Sequence, residues 1–331
     1  MSSRQVVVTQ RFFDEATIAY LREHDCEVVV ADLPAGVADG SLDHETLVSM
    51  LQGAAGWIVG HARVTRELLA ALPDLQVVSR RGVGYERVDV AAAHDLGRVV
   101  CIAAGGNDAS VADHAIALML AVGHRFRETQ GRMIEGDFSI LTGTDLFEKT
   151  VGIVGMGRIG RSLVKRLQGF ECRILAATRG ALPSGTPPNV QQVDLETLVT
   201  TSDYISIHAP LTDETRTLFD AALIARMKPS AFLINTARGG LVDDRALLDA
   251  LRDGTIAGAG LDVYLSESDP ALKPVTEALI RLPNVIATPH SAASTHEGLA
   301  RTNMVAARSV VAVLDGKTPP PECVVADGRP H

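Results

Sequence analysis

The 331-residue sequence predicts an α/β protein of two domains, each built on a parallel sheet. Three observations carry that prediction. Short apolar runs alternate with helical patterns along most of the chain, the signature of successive βα units. The alternation comes in two series, one over the first hundred residues and a larger one from Val151. The chain is also long for a single core.

In the first series, strands are expected at 6–9, 27–31, 57–59, 76–79 and 99–102, with helices near 15–23, 44–51, 66–71 and 88–94. Ala103-Ala104-Gly105-Gly106-Asn107 is a small-residue joint, and an apolar-periodic helix over about 110–126 follows it. The second series places strands at 150–154, 173–177, 204–207, 231–235, 258–261 and 285–288, six in all, as a dinucleotide-binding sheet requires. A last helix, about 295–314, has no place in that completed sheet and is assigned back to the first domain. Pro319-Pro320-Pro321 then starts an extended tail. The expected division is therefore a discontinuous domain of residues 1–103 and 291–331, and a second domain of 104–290.

Composition narrows the function classes. With 46% hydrophobic and 21% charged residues the chain is ordinary globular protein. A net charge of −9 and the lack of a basic run argue against a nucleic-acid partner. No uncharged apolar run is long enough to span a bilayer, and no secretory signal precedes the first strand. Cys26, Cys101, Cys172 and Cys323 are widely spaced, so neither a metal site nor a disulfide framework is indicated, and a reducing cytoplasm is the simplest setting.

The sharpest motif is Val-Gly-Ile-Val-Gly-Met-Gly-Arg-Ile-Gly at 151–160. An apolar strand runs into Gly155, Gly157 and Gly160, and a helical pattern follows. The first glycine permits the tight turn, the second lets the backbone approach a pyrophosphate, and the third lets the helix pack on the sheet. Free N–H groups at the helix start then face the anion. A dinucleotide reader specific for NAD places an acid about 20 residues on, at the end of the second strand. Here Thr178 and Arg179 stand there, and no acid falls between Glu171 and Asp194. A hydroxyl and a cation where a carboxylate would repel a 2′-phosphate predict NADP, with NAD as the alternative.

Two further strand ends carry chemistry. Arg238 follows the apolar strand of Phe232-Leu233-Ile234-Asn235, and open α/β sheets bind ligands at such carboxyl ends. Its guanidinium can grip a 2-oxo carboxylate with two parallel hydrogen bonds; a surface ion pair is the plainer role. His290 follows the last strand and a proline, and imidazole can give a proton to a carbonyl oxygen as hydride reaches carbon. Glu267 could fix the tautomer of that imidazole, or simply be solvated in its polar loop. Asp262 ends a strand near the expected nicotinamide, or serves as a turn residue. Arg80-Arg81-Gly82-Val83-Gly84 offers backbone donors for a carboxylate, or a tight turn with two solvated arginines.

Together these residues resemble the D-isomer-specific 2-hydroxyacid dehydrogenase family. The resemblance runs over nearly the whole chain, through 79–90, 150–160, 208–215, 227–241, 258–263 and 288–290. It implies a flavodoxin-like substrate domain and an NAD(P)-binding Rossmann domain with the active site in the cleft between them. It implies Arg238 as the substrate-binding group, Glu267 as support for the histidine, and His290 as acid/base. Arg158 and Ile159 match backbone donors to pyrophosphate. Ala209, Pro210, Thr215, Thr236, Ala237 and Asp262 match other cofactor contacts, and Val83 and Gly84 match the substrate-carboxylate loop. The family is usually homodimeric through its cofactor domains.

The missing acid at Thr178 resembles NADP-using glyoxylate and hydroxypyruvate reductases. Gly60-His61 replaces the Arg-Ser pair usual in phosphoglycerate dehydrogenases, which disfavours a phosphorylated substrate. The expected activity is reduction of a small 2-oxo acid to its 2-hydroxy acid, glyoxylate or hydroxypyruvate first. A phosphoglycerate dehydrogenase-like enzyme and a nucleotide-sensing corepressor-type binding protein are the alternatives.

Overall fold

A computed structural model describes residues 4–34 and 37–330. The chain folds as two compact units, Met1–Asn107 with Ser294–His331, and Asp108–Ala293. The first unit begins with β1 (Gln5–Val8), α1 (Glu15–Glu23), β2 (Glu27–Val30), α2 (His44–Leu51), β3 (Gly56–Val59), α3 (Arg66–Ala71), β4 (Val77–Arg80), α4 (Val90–Asp95) and β5 (Val99–Ile102). Asp14, Asp43, Thr65 and Asp89 stand at the helix starts, and each side chain accepts an N–H from its own first turn.

The second unit opens with α5 (Asp108–Gly123) and α6 (Phe126–Ile134). The helix expected over 110–126 is α5, which stops at Gly123, and α6 follows as a separate helix. A Cβ on Gly123 would lie 2.3 Å from the Tyr204 hydroxyl, and Arg125 takes a left-handed φ of 56°, which breaks the helix there. There follow β6 (Thr150–Val154), α7 (Arg158–Leu167), β7 (Arg173–Ala177), β8 (Val190–Gln192), α8 (Leu195–Thr201) and β9 (Tyr204–Ile207). Then come α9 (Ala221–Ile224), β10 (Phe232–Asn235), α10 (Asp244–Arg252), β11 (Gly258–Leu261), α11 (Lys273–Arg281) and β12 (Val285–Ala287). The chain returns to the first unit with α12 (His296–Leu314) and β13 (Val324–Asp327).

Among the described residues the first sheet has six strands in the order β13-β5-β4-β3-β1-β2. Its five parallel strands follow the flavodoxin-like order 2-1-3-4-5. The expected tail is instead a sixth strand, because β13 pairs antiparallel with β5 and closes that edge. One face is packed around Trp57, Leu69 and Leu75; on the other, α12 lays Ala306, Ala307 and Val310 over Val6, Ile58 and Val77.

The second sheet has seven parallel strands in the order β12-β11-β10-β9-β6-β7-β8. Counted from β6, this is 3-2-1-4-5-6 with one more strand at the β11 edge, the doubly wound dinucleotide-binding order. The six strands expected become seven because β8 adds to β7. The strands are covered on both faces, by α5 and α7 through Leu118, Met119 and Leu163, and by α8 and α10 through Leu198, Leu247 and Leu251. This is why they read as continuous apolar runs. Strand order reverses beside β6, so its carboxyl end lies between those of β9 and β7.

Candidate active site

Gly155, Gly157 and Gly160 have three different surroundings at the end of β6. Gly155 has φ +101°, and a Cβ there would lie 2.7 Å from the His208 carbonyl. A Cβ on Gly160 would lie 2.2 Å from the Gly155 oxygen. The chain's own packing therefore excludes any side chain at both positions. A Cβ on Gly157 meets nothing within 4 Å. Gly157 is the N-cap of α7 and offers no side-chain cap, so the N–H groups of the first turn, from Arg158 and Ile159 to Gly160, have no capping carboxylate. Open space above an uncapped helix start fits a pyrophosphate.

Two neighbours point the same way. In the parallel register Ile207 pairs with Asn235, so His208 and Thr236 follow side by side at the ends of β9 and β10. Thr236 Oγ1 and His208 Nδ1 are both buried without a hydrogen-bond partner. Burial pushes the His208 pKa down to about 4, so its ring is neutral near pH 7. Next to them, Thr215 donates its hydroxyl to the Pro210 carbonyl at 2.7 Å and holds the turn that starts at Ala209.

Thr178 and Arg179 follow β7. Arg179 Nη1 lies 3.1 Å from Glu214 Oε2, both side chains well exposed. The stretch after β7 lacks an acid in sequence, but a carboxylate reaches it in space from the turn after β9.

At the other strand ends the structure brings Arg238, Glu267 and His290 together. Asn235 fixes the Arg238 loop: its Oδ1 accepts the Ala237 N–H at 3.1 Å and its Nδ2 donates to the Arg238 carbonyl at 3.0 Å. Gly239 packs backbone to backbone on the turn that carries Glu267; a Cβ there would sit 2.1 Å from the Tyr264 carbonyl carbon. Glu267 Oε1 accepts the Tyr264 N–H at 2.8 Å and its Oε2 lies 2.6 Å from His290 Nδ1.

That hydrogen bond is the largest influence on His290 and holds its pKa above the usual histidine value, against burial and the nearby Arg238 charge. Burial alone would raise Glu267, but the His290 contact, the Tyr264 N–H and Arg238 together hold it below the ordinary carboxylate value. With Nδ1 engaged, Nε2 is the ring nitrogen free to exchange a proton.

His290 has a left-handed φ of 52°, unusual for a residue with a Cβ. Its N–H donates to the Asp262 carbonyl at 2.8 Å. The fully buried Asp262 side chain accepts the Ser291 and Ala292 N–H groups at 2.8 and 3.0 Å and the Thr288 hydroxyl at 2.5 Å. Thr288 Oγ1 in turn lies 2.9 Å from His114 Nε2. Both Asp262 oxygens thus pin the turn that presents His290.

Sequence reasoning missed Asp244. It is buried, accepts the Leu265 N–H at 3.0 Å, and so clamps the Glu267 turn. Burial, with Asp243 and Glu267 nearby, pushes its pKa up to about 6. The only signal in sequence was an Asp-Asp pair before a helix, which reads as a cap.

In the first unit Val83 and Gly84 lie half-buried after β4. The alternative of two solvated arginines does not hold for Arg80, which is 6% exposed and donates from Nε to the Gly84 carbonyl at 3.0 Å. Arg80 therefore holds the shape of that turn.

Comparison with known proteins decides the family. The profile of the D-isomer specific 2-hydroxyacid dehydrogenase, NAD binding domain, matches residues 116–292. The chain belongs to the D-isomer specific 2-hydroxyacid dehydrogenase family. Members of this family are NAD(P)-dependent oxidoreductases, and so is this chain. It is 36% identical over 332 residues to a glyoxylate reductase of Thermofilum pendens, covering 96% of this chain and 94% of that protein. It is 34% identical to a D-3-phosphoglycerate dehydrogenase of Archaeoglobus fulgidus, covering 94% of this chain and 58% of that protein. Among solved structures, the TT0316 protein from Thermus thermophilus superposes with a TM-score of 0.84 at 34% identity, covering 97% of this chain and all of that one. No helix among the described residues is long and apolar enough to cross a membrane.

Proposed function

We propose that this dehydrogenase reduces a small 2-oxo acid to its D-2-hydroxy acid, with glyoxylate or hydroxypyruvate as substrate and NADPH preferred to NADH. The observation that carries the reading is the 2.6 Å contact between His290 Nδ1 and Glu267 Oε2 with the Arg238 charge acting on both groups. A bound reduced nicotinamide supplies the hydride. Arg238 grips the substrate carboxylate and stabilises the alkoxide that develops on the carbonyl oxygen. His290, whose protonated form Glu267 favours, delivers the proton from Nε2 to that oxygen. Asp262, with Thr288 and His114 behind it, and Asp244 hold the two turns in place. Val83 and Gly84 are assigned to the substrate carboxylate, and the residues from Gly155 to Gly160 with Thr178, Arg179, Ala209, Pro210, Thr215, Thr236, Ala237 and Asp262 to the cofactor.

The Thermofilum relative supports the substrate class, and Thr178 with Arg179 supports NADPH. The Archaeoglobus relative favours phosphoglycerate-type chemistry as a second reading. Exposed Phe126, Met133, Ile134, Phe138, Ile140 and Phe147, beside an apolar groove of about 770 Å³ that includes Phe126 and Ile134, support a homodimer in which a second copy covers this band. Four buried free cysteines suit the cytoplasm.

The test is a panel of glyoxylate, hydroxypyruvate, pyruvate and 3-phosphoglycerate, each with both cofactors in the direction it allows. Glyoxylate or hydroxypyruvate with NADPH should give the highest kcat/KM. A preference for 3-phosphoglycerate, or for NADH throughout, would replace this reading.

A further inference from the structure

We infer that Glu214 is a specificity-determining residue that competes with the cofactor's 2′-phosphate for Arg179. The inference rests on the reading of Thr178 and Arg179 as the adenosine-ribose end of the site. Its basis is topological. Val154 on β6 pairs with Ala177 on β7 and with Ile207 on β9, so the glycine turn lies between the loops that follow those two strands. Arg179 comes from the β7 side and Glu214 from the β9 side, and they meet at 3.1 Å. The ion pair therefore spans the two loops that flank the glycine turn.

Neither partner is carried by a free loop. Gln192 Nε2 donates to the Gly180 carbonyl at 2.8 Å and tethers the Arg179 segment to the end of β8. Glu214 sits in a turn closed by Thr215, whose hydroxyl accepts the Thr212 N–H at 2.8 Å and donates to the Pro210 carbonyl. The pair is thus presented by two restrained backbones, and only the long side chains need move.

The chemistry follows from charge. NADPH brings a phosphate of nearly two negative charges to the ribose, and NADH brings a hydroxyl. To bind the phosphate, Arg179 must leave Glu214, and the released carboxylate then repels the phosphate from close range. NADH leaves the pair intact. Exposed ion pairs are weak, so NADPH can displace Glu214, at the cost of a few-fold in affinity. Glu214 therefore narrows the preference for NADPH without reversing it.

The test uses the whole chain, and its first readout, binding, needs no turnover. Adenosine 2′,5′-bisphosphate and 5′-AMP are titrated calorimetrically into the wild type, E214Q and R179Q at low ionic strength, with KM for NADPH and NADH measured alongside. E214Q should tighten the bisphosphate and lower KM for NADPH by about three- to fivefold, with 5′-AMP and NADH changing by less than about twofold. High salt should shrink the difference, because screening weakens both the pair and the repulsion. R179Q should weaken the bisphosphate at least about tenfold. If R179Q does so but E214Q has no effect, the role of Glu214 is wrong and the NADPH reading stands. If E214Q weakens NADH and 5′-AMP, Glu214 is itself the ribose acid and the inference is overturned. If wild type binds 5′-AMP as tightly as the bisphosphate and R179Q changes nothing, the NADPH reading falls and takes the inference with it.

Discussion

In each unit a β-strand leads into a helix, β1 into α1 and β6 into α7, and the two junctions are finished differently. In the first unit Asp14 caps α1: its carboxylate accepts the Thr17 N–H at 2.9 Å and also takes the Asn303 amide at 2.9 Å. In the second, Gly157 occupies the same N-cap position on α7 and supplies nothing. The backbone at Gly157, φ −69° and ψ −163°, would accept any L residue, and a Cβ would meet open space. Packing therefore does not explain this glycine, whereas it does explain Gly155 and Gly160. One junction carries its own anion; the other leaves the place of that anion empty. Of these two strand-to-helix junctions, only the one without an internal cap offers its helix start to an external anion.

The contrast can be broken by moving the cap. Gly157→Asp should install on α7 the carboxylate that α1 already has. Thermal stability should hold or rise, because N-cap acids stabilise helices by about 1 kcal/mol. Affinity for NADPH and NADH should fall at least about a hundredfold, since the new carboxylate occupies and repels the pyrophosphate position. Calorimetric binding and a thermal melt of the same variant separate the two effects. Loss of folding, or cofactor binding within a few-fold of wild type, would remove the distinction drawn between the two junctions.

The reciprocal change is smaller. Asp14→Ala should destabilise the protein by about 1–2 kcal/mol in chemical denaturation, through loss of the cap and of the Asn303 contact. Cofactor affinity should be unchanged, because no ligand replaces that carboxylate.

The same comparison shows how far the sequence can be read. Strands buried on both faces, such as β6 and β10, are unbroken apolar runs and are visible residue by residue. The two missed strands lie at sheet edges. β8 buries only Val190, with Gln191 and Gln192 exposed, so it has almost no apolar pattern. β13 follows three prolines, and its partner β5 lies more than two hundred residues earlier, so no local signal announces the pairing. Strand ends made Arg238 and His290 legible, since a polar group at the end of a buried run has few plain explanations. Asp244, Thr288, His114 and Glu214 act on residues distant in the chain, and spacing carries no trace of those contacts. Glu214 is the clearest case: no acid neighbours Thr178 in sequence, and the carboxylate that reaches Arg179 comes from another strand's turn.

The most direct measurement of the central claim is the pH dependence of kcat/KM for 2-oxo-acid reduction in the wild type and in Glu267→Gln. In the proposed mechanism reduction consumes the proton on His290, so the rate should fall as pH rises through the pKa of that ring. Glu267 holds that pKa above the usual value; without the carboxylate it drops, and the alkaline limb should move to lower pH, with kcat at pH 8 reduced at least about tenfold. An alkaline limb that stays where it is in the variant would show that His290 is not the group supplying the proton.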